Sequence, residues 1–134
     1  RRILEEKSAD RQAYGPLDPS IWEKMVSDGG YFDVWAHFLT EREVLPVFVA
    51  LPTNPKLIDV KERRADYLRN SALLRTWATK RNVGFIDLGI LDSVDSESYF
   101  SDQRHLSAIG APKYSAQLGR ALAESPLVVQ ALSR

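Results

Sequence analysis

Between Phe100 and Ser107 the chain reads Phe-Ser-Asp-Gln-Arg-His-Leu-Ser. An acid, two spacers and a histidine stand where an irregular stretch gives way to the pattern of the last helix. With a short turn between them, the Asp102 carboxylate reaches the His105 imidazole, fixes its tautomer and stabilises its protonated form. The other ring nitrogen is then left to act as a general base. These are two of the three members of a nucleophile-activating triad. Asp and Ser are also common turn and cap formers, so the tetrad has a structural reading too. In that reading His105 simply caps or packs against the last helix.

Other side chains with chemistry are fewer. Thr53 and Asn54 follow an apolar run that reads as a strand, and open α/β sheets gather ligands outside the carboxyl ends of their strands. They are the expected substrate-binding residues, although Asn and Pro in the same segment are turn formers as well. Asp92, Asp95 and Glu97 crowd one loop without a calcium-loop spacing. His37 lies on a helix with no partner at a suggestive spacing and reads as a surface or structural residue. There is no cysteine, which removes disulfides, thiolate ligands and cysteine nucleophiles. The two histidines form no recognisable zinc pattern. Neither a metal nor a cofactor is expected.

Positioning elements follow from the apolar pattern. The run Val44 to Leu51 is nearly continuous and rich in β-branched residues, and reads as a parallel strand buried on both faces. Pro46 sits near its start and Pro52-Thr53-Asn54-Pro55 stops it. Residues 59–81 carry the longest helical pattern, with Asp59 as cap and Val60, Tyr67, Leu68, Leu74, Trp77 and Ala78 as its apolar stripe. Arg81-Asn82 fits its end. Val83 to Leu88 reads as a second strand, which makes a βαβ unit. From Gly89 to Leu106 no period is visible, and a loop of that length in a compact domain is usually a lid or site loop. Ser107 can cap a last helix whose buried face is Ala111, Tyr114, Leu118, Ala121 and Leu122, ended at Ser125-Pro126 and followed by a short apolar tail. Upstream, residues 1–13 read as a charged tail or frayed helix and 14–20 as a turn-rich linker. A short helix reaches Val26, begun at Ser20 or at Asp18 with Pro19 just inside. Residues 31–43 read as an amphipathic helix on the spacing of Tyr31, Trp35, Phe38 and Leu39.

Composition narrows the class. At 134 residues the chain is about one domain. Eighteen basic and eighteen acidic residues cancel, so no case arises for nucleic acid or an anionic membrane surface. The apolar share of 44% is that of a globular protein. No run approaches the roughly 20 apolar residues of a membrane span. The sequence begins Arg1-Arg2-Ile3 without an initiating Met or a visible signal peptide, and reads as a fragment or a processed product.

The order of strand, long helix, strand, loop, D-x-x-H-L-S and an apolar helix with Gly110 near its start resembles the C-terminal half of the SGNH, or GDSL-like, hydrolase superfamily. The resemblance extends to its extracytoplasmic acyl-transfer branch. The resemblance runs from about Val44 to Leu122, and its specific part is Asp102, His105, Leu106 and Gly110 after the strand Phe85-Ile86-Asp87-Leu88. It implies that His105 is the general base and Asp102 orients it. It implies a flavodoxin-like three-layer α/β/α fold with a parallel sheet, of which this chain is the C-terminal portion. Residues 1–43 form a mainly helical lead-in, and 44–125 carry the acid–histidine pair. It implies an esterase, acyl hydrolase or acyltransferase acting on a small-molecule or carbohydrate ester, in a cell-envelope or extracytoplasmic setting.

The family's Gly-Asp-Ser nucleophile segment and its oxyanion-hole Gly and Asn are not found. Ser27-Asp28-Gly29 has the wrong order, and Asp92-Ser93 and Asp95-Ser96 lie in the loop that leads to the histidine itself. The nucleophile is therefore expected on a missing N-terminal segment, and a missing segment or another chain is expected to complete the sheet. The alternative is a catalytically degenerate relative that binds a glycan or a protein partner.

Overall fold

The computed structural model describes residues 19–57, 61–92, 94–102 and 105–133. The expected tail over 1–13, residues 14–18 of the linker, the cap Asp59, the stripe residue Val60 and Ser93 lie outside the described residues. The chain is mixed α/β. In order come α1 (Pro19–Val26), α2 (Tyr31–Thr40), β1 (Val47–Val49), a 3-10 turn (Pro55–Leu57), α3 (Lys61–Arg81), β2 (Gly84–Ile86), α4 (Ser96–Tyr99), α5 (Gly110–Glu124) and α6 (Pro126–Leu132).

The βαβ unit is present as expected. β1 and β2 pair in parallel, with Val47 opposite Gly84, Phe48 opposite Phe85 and Val49 opposite Ile86. An isolated parallel bridge between Thr53 and Ile90 holds the chain together past the strand ends. Both strands are shorter than their apolar runs. β1 is half-buried along its length, and Val44 and Leu51 at the ends of the run are 47% and 80% exposed. Burial on both faces was the expectation for the whole run. Among the described residues the sheet has only two strands, so no third strand extends the ladder and the ends of the run stay in solvent.

The helical patterns fare unevenly. In α3, Trp77 and Ala78 are buried as their spacing requires, but Leu68 is 56% exposed. Asn82 leaves the helix with φ 54°, the left-handed turn that asparagine tolerates better than most residues. In α2 most of the expected stripe faces outward, and only its Leu39 is half-buried. Tyr31, Trp35 and Phe38 are exposed, whereas Ala36 is buried at 2% and Phe32 packs beside it. This helix is apolar almost all round, so spacing alone does not select the face that docks.

Two cores result. Ala36, Trp77, Ala78 and Val83 form one, with Val26, Phe32, Phe48 and Phe85 against it. Its centre is aromatic: Trp77 meets Phe48 edge-on at 5.1 Å, and Phe32 meets Phe48 at 5.4 Å. Such pairs add to simple burial. Leu91, Tyr99, Phe100 and Tyr114 form the other, with Leu88, Val94, Leu106 and Leu118 around them. This second core lies beneath the acid–histidine loop.

A candidate acid–histidine site

The loop that carries Asp102 and His105 is built from its two ends. Ser96–Tyr99, expected to be irregular, forms the single turn α4. Asp95 starts it by accepting the Glu97 amide on its carboxylate at 3.2 Å. Tyr99 and Phe100 then sink into the second core at 3% and 4% exposure. On the far side Ser107 caps α5, accepting the Gly110 amide on its hydroxyl at 2.9 Å. Gly110 lies so close to α4 that a Cβ there would sit 1.9 Å from the Tyr99 carbonyl oxygen. Phe100 and Leu106 close the loop as an antiparallel bridge, and the Ser101 amide donates to the His105 carbonyl at 2.9 Å.

Inside this closure the expected pair forms. The His105 backbone amide donates to Asp102 Oδ1 at 2.8 Å. His105 Nδ1 lies 2.8 Å from Asp102 Oδ2. One carboxylate therefore holds both the backbone and the ring of the histidine, and a neutral imidazole in this setting carries its proton on Nδ1. Nε2 has no hydrogen-bond partner among the described residues. The His105 side chain is 78% exposed and that of Asp102 30%, so the ring faces open space.

Asn54 is brought to the pair. It is 7% exposed. Its Oδ1 accepts the Lys56 amide at 3.0 Å, and its Nδ2 donates to the Asp102 carbonyl oxygen at 3.4 Å. Both ends of the side-chain amide are turned to backbone. The Thr53 backbone bridges to Ile90.

The loop acids are each engaged. Lys56 Nζ pairs with Glu97 at 3.0 Å, and the Arg64 guanidinium pairs with both oxygens of Asp92. His37 pairs with Glu41 at 3.1 Å on an exposed helix face. A shallow groove of about 460 Å³ between α4 and α5 is lined by Ser98, Tyr99, Lys113, Gln117 and Arg120 among others. It does not include Asp102 or His105.

Sequence reasoning missed the polar cluster at the end of β2. Asp87 accepts the Tyr67 hydroxyl at 2.6 Å, the Ser71 hydroxyl, and the Gly89 amide at 2.8 Å. Burial, reinforced by the Asp87 carboxylate, pushes the Tyr67 phenol well above its ordinary range. Burial likewise raises Tyr114, with Asp87 and Tyr99 adding to it, and burial raises Tyr99. The available signal was a charged residue closing an apolar strand, opposite a Tyr-x-x-x-Ser spacing that puts both hydroxyls on one helix face.

No helix among the described residues is long and apolar enough to cross a membrane. Searches against protein-family models, curated proteins and solved structures return no match.

Proposed function

We propose that Asp102 and His105 are the acid–base half of an SGNH-type serine acyl hydrolase or acyltransferase. The observation that carries this reading is the doubly held histidine, with Nδ1 on the carboxylate and Nε2 left open. In this reading Nε2 takes the proton of a serine hydroxyl as the oxygen attacks an ester carbonyl. His105 then returns the proton to the departing alcohol, leaving the acyl group on the serine. Water or a sugar hydroxyl attacks next, its proton passing to Nε2 and back to the serine. The nucleophile and the oxyanion donors come from outside the described residues. The flavodoxin-like three-layer arrangement belongs to the same reading, with further strands beside β1 supplied by another segment or chain.

The exposure of the imidazole favours a second reading, a domain that keeps the pair for structure and binds a glycan or protein partner. Intact mass after treatment with a fluorophosphonate serine probe, run beside His105→Ala on the protein joined by the segment or chain that supplies the serine, separates them. An adduct lost in the variant supports the catalytic reading. An adduct that survives the variant contradicts it, and no adduct at all supports the second.

A further inference from the structure

We infer that Asn54 is a positioning residue that fixes the acid–histidine loop to the end of β1. The inference rests on the proposed role of the pair and adds to it the element that sets its place on the sheet. The Asp102–His105 unit is local: the acid lies three residues before the histidine it holds. Such a unit can form on a loop without being placed anywhere. Placement needs a tie from the loop to the sheet, and the Asn54 side chain supplies one at the Asp102 peptide itself, across 48 residues of chain.

Three observations support this. Asn54 is one of two buried polar residues in the described chain, the other being Asn70 on α3. A buried amide is retained at little cost only where its donor and acceptor are used, and both are. Its acceptor is committed to a turn with Lys56, which locks the side chain so that the donor points at Asp102 rather than rotating away. The neighbouring bridge of Thr53 to Ile90 pins the same segment to the chain that follows β2. The carbonyl that carries the pair is thus referred to the segments that follow both strands.

The test separates the donor from the acceptor. Asn54→Asp keeps an oxygen for the Lys56 amide and loses the N–H donor to Asp102. Asn54→Ala loses both. Amide hydrogen exchange is followed at His105, Ser101 and Ser107 in the loop, and at Gly84 and Ala50 in the strand region. Both variants are expected to speed exchange at His105 and Ser101 by roughly two- to tenfold, the loss of one net hydrogen bond. In Asn54→Asp the strand amides should stay as in the parent protein. A role confined to the turn predicts the opposite: Asn54→Asp would restore the loop to parent behaviour, and that result overturns the inference. Uniform acceleration of loop and strand amides in both variants also overturns it, since Asn54 would then support the whole fold and not the loop. Asp102→Ala serves as the control. If it leaves His105 exchange unchanged, the pair itself is absent, and the proposed function falls together with this inference.

Discussion

The Tyr114 hydroxyl donates to the Ala50 carbonyl oxygen across 2.9 Å, joining the N-terminal half of α5 to the residue just past β1. Tyr114 is 7% exposed and stays protonated because burial and the nearby Asp87 carboxylate disfavour its anion. Helix α5 starts just after the acid–histidine loop, so this contact holds one flank of the site against the sheet. Asn54 holds the other.

Tyr114→Phe keeps the ring and removes only the donor. The Ala50 carbonyl is then left without this partner at a half-buried position. A loss of about 1–2 kcal/mol in urea unfolding is expected. A variant as stable as the parent would mean that solvent replaces the phenol there.

Gly110→Ala tests how the loop is closed. In a helix, alanine is favoured over glycine by about 1 kcal/mol. Here its Cβ would fall 1.9 Å from the backbone oxygen of Tyr99, and overpacking of a fixed backbone costs about 1–3 kcal/mol or more. The clash should win, giving net destabilisation. Gly119 on the same helix has nothing within 4 Å of an added Cβ, so Gly119→Ala should stabilise by about 0.5–1 kcal/mol. Thermal unfolding of the two variants side by side checks the opposed signs.

Alkaline pH should unfold the protein through its buried phenols. Tyr67, Tyr99 and Tyr114 are all raised above the ordinary value, each chiefly by burial. The unfolded chain releases these protons near pH ~10, while the folded chain still holds them. The stability they contribute is therefore complete below about pH 10 and is lost as pH rises toward the folded values. Their tyrosinate absorbance should appear together with the loss of helical circular dichroism. Asp87→Asn removes the charge felt by Tyr67 and Tyr114 and should bring their ionisation to lower pH. Ionisation of all three with the helices intact would contradict the packing described.

Much of this architecture was legible because it is local. The two strands, the long α3, the turn at Asn82 and the buried face of α5 follow from apolar period and turn chemistry. The Asp102–His105 contact followed from a three-residue spacing. What the pattern withheld was tertiary. Tyr31, Trp35 and Phe38 share a helical stripe, yet Phe32 and Ala36 are the residues that dock, because α2 is apolar on nearly every side. Asn54 reads as a turn residue or a pocket residue until the Asp102 carbonyl is seen beside it. Asp87 reads as the end of a strand until Tyr67 and Ser71 are folded over it. Each of these depends on a partner at least sixteen residues away in the chain, and no window of sequence contains both.

Asp102 holds the neutral His105 ring with its proton on Nδ1, which leaves Nε2 bare. Long-range nitrogen–proton NMR of the imidazole, at a pH where the ring is neutral, reads this directly. The expected spectrum is that of the Nδ1–H tautomer, with the preference lost in Asp102→Ala. A ring protonated mainly on Nε2, unchanged by Asp102→Ala, would contradict the account.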